Sequence, residues 1–206
     1  MDMKYILIAL IVILLAADLY MQVKLNKRRN ELISKLSDLL ASQKYEEFDK
    51  LMEEPQTQRL IPAFNYLFLK LNKQILQDDE KAVDETFKAF NMRMNNMQKE
   101  ALYKRGFYYY LSKEDKENTL VYYQLLKQLS VRDMQLLDVM YDTYILNGNK
   151  YLDFVNEQLA ACDKEEEKMP LYAILADIYR NCGEDKKAEE IEKIVADYTE
   201  KLKSEK

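Results

Sequence analysis

Apolar residues recur at helical spacing through most of the chain. Residues 171–179 place them on one face of a helix, and residues 187–198 carry a second apolar stripe of the same kind. Pro170 suits the first turn of a helix and Gly183 suits the position after its end, so the pattern predicts a helix, a turn and a second helix. One helical hairpin cannot bury both stripes by itself, so this hairpin needs neighbours to pack against.

Weaker versions of this hairpin recur upstream at a nearly constant interval. Steps of 35 residues back from Gly183 reach Gly148, Lys113, Asp78 and Gln43, and each of these positions lies between two segments with helical apolar spacing. Five hairpins at a period of about 34 residues predict an all-α chain in which each hairpin packs on the next. The alternative is an irregular helical bundle in which the spacing is accidental.

The hairpins resemble the tetratricopeptide repeat, a helical hairpin that stacks into a solenoid. The matching residues stand at small, aromatic, turn and packing positions of that repeat: Ala176, Tyr179, Gly183 and Ala188 in the fifth hairpin, Gly106, Tyr109, Tyr122 and Leu125 in the third, and Val83, Phe87 and Phe90 in the second. Polar side chains replace the usual apolar ones at Asn118, Asp153, Glu157 and Glu192, and no hairpin has the family's Trp. The resemblance covers roughly residues 31–198 and implies a right-handed α-α superhelix of about five hairpins.

The first 23 residues have a different character. Residues 5–17 are thirteen apolar residues without interruption, and the apolar run continues to Val23 with breaks at Asp18 and Gln22. The nineteen residues 5–23 would span about 28 Å as a helix, close to the hydrocarbon thickness of a bilayer. They are therefore predicted to form a single transmembrane helix. A cleaved signal peptide is the alternative, although a leucine would then occupy a position that prefers a small residue.

Four basic residues follow the predicted span, namely Lys24, Lys27, Arg28 and Arg29. Only Lys4 and the amino terminus carry positive charge before it, so the positive-inside bias places the C-terminal side in the cytoplasm of a single-pass protein of the cell membrane. The same cluster would lie against anionic lipid headgroups. An exported protein with the same fold is the alternative. The predicted divisions are an anchor at 1–23, a basic juxtamembrane segment at 24–30 and a repeat domain at 31–206.

The repeat domain is acidic, with 26 Lys and Arg against 34 Asp and Glu in residues 31–206, a net charge of −8. It has no basic stripe with interleaved aromatic side chains, so nucleic acid is not an expected partner.

The chain has no His, and Cys162 and Cys182 form no paired-thiol motif. Catalysis, a metal, a cofactor and a small-molecule substrate are therefore not expected. The cysteines are predicted to be small buried fillers, with a disulfide as the alternative.

An anchored helical solenoid indicates a scaffold or assembly factor that binds another protein. In the tetratricopeptide family the first helix of each hairpin lines a concave groove. Carried over by position, the resemblance implies a binding face formed by Tyr103, Phe107 and Tyr110 in the third hairpin, Asp138 and Asp142 in the fourth, and Asp177, Arg180 and Asn181 in the fifth. Such a face suits a partner peptide or helix with an apolar anchor and basic flanks, and Tyr109 is expected in the core. The alternatives are a structural subunit of a larger membrane complex and an enzyme that works without His.

Overall fold

The computed structural model describes residues 3–204 of the chain and the side chains of residues 18–203. Over this range the chain forms eleven helices and no strand, which confirms the all-α prediction. The helices divide into two compact units, one ending at Met94 and the other beginning at Asn95. The repeat domain predicted for residues 31–206 is therefore built as two units.

The N-terminal unit contains two helical hairpins joined by a short helix. Its helices are α1 (Met3–Ala41), α2 (Tyr45–Glu53), α3 (Pro55–Leu60), α4 (Ala63–Leu76) and α5 (Glu80–Ala89). Its core consists of Leu36, Leu40, Phe48, Met52, Ile61 and Leu69. The ammonium of Lys73 on α4 donates to both carboxylate oxygens of Asp49 on α2, at 2.7 and 2.6 Å, so the two hairpins of this unit are also joined by an ion pair.

The C-terminal unit contains three helical hairpins. Its helices are α6 (Asn96–Ser112), α7 (Lys116–Leu129), α8 (Met134–Tyr144), α9 (Leu152–Ala161), α10 (Glu165–Asn181) and α11 (Asp185–Ser204). The largest side chains in its core with no exposed surface include Phe107, Leu126, Leu137 and Ile178. The prediction that Pro170 starts a helix is wrong, because α10 begins five residues earlier, where acidic residues 165–167 favour a helix N-terminus.

Each hairpin turns at or next to a residue in the left-handed backbone conformation. These residues are Gln43, Asp78, Glu114, Asn147 and Gly183, with φ angles between 51° and 73°. Their intervals of 35, 36, 33 and 36 residues match the predicted period. The left-handed conformation reverses the chain tightly, and glycine adopts it most readily. The other four turns place a side chain in that conformation.

Four of the five turns also share their backbone hydrogen bonds. In each, the amide after the left-handed residue donates to a carbonyl oxygen five residues back, as Lys44 does to Leu39 at 2.9 Å and Glu184 to Tyr179 at 2.9 Å. This is the Schellman arrangement, which satisfies carbonyl groups at the end of a helix. The turn between α8 and α9 differs, because the Gly148 amide reaches six residues back to Asp142 at 2.8 Å.

Helix α1 runs without a break through three predicted divisions of the chain, the anchor, the basic segment and the first repeat helix. The prediction of a transmembrane helix falls mostly on residues 5–17, whose side chains lie outside the described residues. Among the residues that are described, no helix combines the length and the apolar character needed to cross a membrane. Residues 18–28 of α1 are exposed on every side.

Candidate functional site

A groove of the C-terminal unit lies between α6 and α8, the first helices of the third and fourth hairpins. Its volume is about 560 Å³, and it is lined by Tyr108, Leu111, Ser112, Glu114, Lys116, Met140, Tyr144, Ile145 and Asn147. Leu111, Met140 and Ile145 supply its aliphatic and thioether surface. Rings from both helices, Tyr108 and Tyr144, face the same space.

Three consecutive tyrosines on α6 point in different directions, because successive helical residues are about 100° apart. Tyr109 and Tyr110 are buried, with 6% and 8% of their surface exposed, whereas Tyr108 is 37% exposed and reaches the groove. Helix α6 is well defined at its start by a capping box, in which Asn95 and Gln98 exchange side chain-to-backbone hydrogen bonds at 2.9 and 3.0 Å. The cap fixes where the helix begins, and the burial of Tyr109 and Tyr110 leaves Tyr108 as the outward-facing tyrosine.

On α8, Tyr144 contributes a ring whose hydroxyl group lies near the Asp177 carboxylate on α10. Burial raises the pKa of Tyr144 well above that of an exposed tyrosine, and the negative charge of Asp177 and the hydrogen bond to it raise it further. This interaction links the fourth hairpin to the fifth beside the groove.

An ion-pair cluster lies beside Tyr108. The Lys104 ammonium donates to both carboxylate oxygens of Asp133 at 2.7 Å and to Glu100 at 2.8 Å. The hydrogen bond to Lys104 lowers the pKa of the Asp133 carboxyl group. Burial raises the pKa of the Tyr108 phenol, and the nearby negative charge of Asp133 adds to that shift. One lysine thus pairs with two carboxylates, those of Asp133 and Glu100.

The aromatic residues of α6 that were predicted to bind a partner, Tyr103, Phe107 and Tyr110, face α7 instead of the groove. Phe107 has no exposed surface and Tyr110 is stacked on the ring of Tyr122 at 5.6 Å, so both pack against α7. Tyr103 is half-buried and also packs toward Tyr122, with ring centroids 6.3 Å apart. Phe107 therefore stabilises the core and cannot be an exposed anchor. The groove side of α6 is reached one residue later, a rotation of about 100°.

The two acidic residues of α8 that were predicted to bind a partner, Asp138 and Asp142, form hydrogen bonds within the protein. Asp138 accepts a hydrogen bond of 2.6 Å from the Tyr123 hydroxyl on α7, and the Tyr123 ring stacks on Tyr141 at 4.2 Å with a 6° interplanar angle. Burial raises the pKa of Tyr123, and the bond to Asp138 raises it further. Asp142 accepts from the Lys150 amide at 3.1 Å and so closes the turn to α9. Neither carboxylate lines the groove.

The three residues predicted in the fifth hairpin have different roles. Asn181 donates to the backbone carbonyls of Thr143 and Gly148 at 2.9 and 3.0 Å, so it supports the preceding hairpin turn. Arg180 is exposed and pairs with Glu192 on α11 at 2.5 Å, and more weakly with Asp177 on its own helix at 3.6 Å. Asp177 is near the groove, because its charge acts on Tyr144 in the groove wall. The predicted residues are therefore not brought together into one face.

The resemblance to the tetratricopeptide repeat did not point to four of the residues that line the groove, namely Tyr108, Leu111, Met140 and Tyr144. A signal for Tyr108 was present in the sequence, because three adjacent tyrosines on a helix cannot all be buried on one side. No comparable signal marks Met140, which reads as an ordinary core residue at helical spacing.

The described residues contain no group of three or more acidic or cysteine side chains arranged to hold a metal ion. Cys162 and Cys182 are both free thiols and half-buried, and Cys182 accepts a hydrogen bond from Asn149 at 3.2 Å. No protein family model, curated protein or solved structure matches this chain at a significant level. The groove is therefore interpreted from its own geometry.

Proposed function

We propose that the chain is a membrane-anchored scaffold or assembly factor that holds an apolar side chain of a partner peptide or helix in the α6–α8 groove. The observation that carries the proposal is the groove itself: about 560 Å³ between the first helices of two consecutive hairpins, with Tyr108 exposed within it. First helices line the binding face in the tetratricopeptide family that the sequence resembles. The five hairpin turns recur at a regular interval, as expected for a helical repeat.

The groove has the composition of a site for an apolar anchor. Aromatic rings supply contact area at a low cost in conformational entropy, and Met140 can adapt its shape to a bound side chain. The C-terminal unit carries 17 basic and 22 acidic residues, a net charge of −5, and the charged residues that line the groove are Glu114 and Lys116. A partner with basic residues on either side of its anchor would complement this charge.

The anchor belongs to the same proposal. Residues 5–23 would cross the cell membrane once, and the basic residues 24–29 would keep the two helical units in the cytoplasm. A Ser204→Cys variant checks this topology by labelling with a membrane-impermeant thiol reagent. Strong labelling of intact cells would reverse the orientation, and a mature protein that begins at Asp18 would overturn the anchor.

Site-directed crosslinking in cells tests the groove. A photoreactive side chain at position 108 should capture one or a few defined partners, whereas the same group at position 121, half exposed on α7, should not capture them. Adding Met140→Glu should weaken capture from position 108, because it places a charge in the apolar part of the groove. The same products from both positions, or products that Met140→Glu leaves undiminished, would move the binding site away from the groove.

A further inference from the structure

One concave feature of the N-terminal unit lies beside the basic segment of α1. It is a notch of about 190 Å³ between α1 and the α2–α3 connection, lined by Arg28, Glu31, Leu32, Glu54, Gln56, Thr57 and Leu60. We propose that this notch binds the headgroup of a phospholipid that carries both a phosphate and a primary ammonium group. The inference rests on the proposed membrane anchor.

The position of the notch along α1 matches the headgroup layer. Because α1 is one unbroken helix, Arg28 lies five residues beyond Val23, or about 7.5 Å along the helix axis. The polar layer on each side of the hydrocarbon core is about 5–8 Å thick. If the span ends at Val23, the guanidinium of Arg28 is at the depth of the lipid phosphates. The turn at Gln43, at the other end of the unit, is about 20 Å farther away.

The surface of α1 before the notch suits contact with lipid. Leu19, Tyr20, Met21 and Val23 are between 55% and 67% exposed, and Leu25 is 46% exposed. No other part of the described chain covers them. Water would be an unfavourable environment for so many apolar side chains on one short stretch of helix, whereas the boundary between acyl chains and headgroups accommodates them.

The charges that line the notch are of both signs and are poorly paired within the protein. Among the described residues, neither the Arg28 guanidinium nor the Glu54 carboxylate has a hydrogen-bond or ion-pair partner. Lys27 approaches Glu31 only to 3.9 Å. A guanidinium is a strong phosphate ligand, and a carboxylate is the natural acceptor for a primary ammonium. A headgroup with both groups would pair Arg28 and Glu54 together.

The charge pattern also distinguishes between kinds of lipid. A headgroup with a phosphate but no amine would leave Glu54 facing negative charge, which is unfavourable. A quaternary ammonium would carry the same charge but could not donate hydrogen bonds to the carboxylate. The apolar side chains of Leu32 and Leu60 line the notch beside these charges. A phosphate next to a primary ammonium is therefore the best match to the notch.

Native mass spectrometry of the full chain, released from detergent micelles, tests this inference. Phosphatidylethanolamine, phosphatidylglycerol and phosphatidylcholine are offered at equal concentration, and the first should be retained preferentially. Arg28→Gln and Glu54→Gln should each reduce its retention by about tenfold, since each removes one charged hydrogen-bond partner. Arg59→Gln and Glu46→Gln, exposed charges of the same unit outside the notch, should leave it unchanged.

Equal retention of the three lipids, a preference for phosphatidylglycerol, or unchanged retention in the Arg28 and Glu54 variants would overturn the headgroup site. Flotation of the same proteins with phosphatidylethanolamine vesicles separates this result from failure of the anchor. If wild type and variants all float but retention does not respond to the variants, only the headgroup site is wrong. If the wild type stays soluble without detergent and does not float, the anchor is wrong and the headgroup site fails with it.

Discussion

The ring of Tyr122 on α7 fills the space into which a side chain at Gly106 on α6 would extend. A Cβ atom at position 106 would lie 2.5 Å from this ring, closer than real carbon atoms approach. The ring cannot move aside freely, because it stacks on Tyr110 at 5.6 Å. We therefore expect Gly106→Ala to lower the free energy of unfolding by roughly 1–3 kcal/mol, measured by urea denaturation.

A double-mutant cycle isolates the contact. In a Tyr122→Ala background the space beside position 106 is open, so Gly106→Ala should cost much less there than in the wild type. If the two backgrounds give the same loss, the cost of Gly106→Ala does not come from Tyr122.

The left-handed turn residues predict a pair of opposite effects. At Gly183 a Cβ would meet no atom within 4 Å, so Gly183→Ala should lose about 1 kcal/mol through its φ of 73° alone. Gln43 has the same conformation, with φ of 56°, and already has a side chain. Gln43→Gly should therefore raise stability, by about 0.5–1 kcal/mol after the entropy of glycine is counted. Thermal unfolding measures the change in stability of each variant. Changes of the same sign in both variants would contradict the shared turn geometry.

The helical-hairpin repeat could be predicted from the sequence because its apolar stripes are periodic, and the turns lie within one residue of the positions counted back from Gly183. Which residue of each turn takes the left-handed conformation could not be predicted. Glu114 and Asn147 take the left-handed conformation, whereas the count reached Lys113 and Gly148. Glycine at 148 is needed for a different reason, since a Cβ there would lie 2.5 Å from the Asp142 carboxylate.

The candidate site was less predictable than the fold. The outward face of α6 carries Tyr108 where the sequence predicted Phe107, a rotation of about 100° around the helix axis. Both residues are aromatic, so the apolar periodicity of the sequence does not show which of them faces outward. The roles of Asp138 and Asn181 depend on partners 15 and at least 33 residues away along the chain. Spacing within one helix carries no information about such partners.

That rotation predicts a clear contrast between adjacent residues. Phe107→Ala empties a fully buried site and should lower the free energy of unfolding by about 3–5 kcal/mol. Tyr108→Ala removes a partly exposed ring and should cost about 1 kcal/mol or less. Urea denaturation of the two variants gives the comparison. A well-folded Phe107→Ala variant with nearly wild-type stability would restore the original prediction that Phe107 faces outward.

Asn181 should matter for stability although it was predicted to bind a partner. Its amide group satisfies two backbone carbonyls of the fourth hairpin turn, and Asn181→Ala leaves both without this donor. We expect a loss of about 1–3 kcal/mol. Asn156 is the matched control, because its amide donates to one carbonyl, that of Leu152 in its own helix, at an exposed position. A loss no larger for Asn181→Ala than for Asn156→Ala would contradict the structural role.

The raised pKa of Tyr144, caused by burial and by Asp177, should make the free energy of unfolding fall at alkaline pH. The pKa of Tyr144 is raised in the folded protein, whereas in the unfolded chain it is close to 10. Above pH 10 the unfolded chain therefore binds fewer protons than the folded protein, so the free energy of unfolding falls as pH rises. Below that pH the contribution of this group is fully present.

Tyr144→Phe separates this titration from that of the other tyrosines. At pH 8 the variant should be less stable than the wild type, because the interaction of the hydroxyl group with Asp177 is lost. Between pH 9 and 11 it should lose less stability than the wild type, because position 144 no longer carries a proton that the unfolded chain releases. Urea midpoints across this range give the comparison, with Tyr20→Phe as the control because that ring is 66% exposed. Parallel pH profiles for the wild type and Tyr144→Phe would mean that the Tyr144 hydroxyl titrates as it does in the unfolded chain, and that the wall of the groove is not held by Asp177.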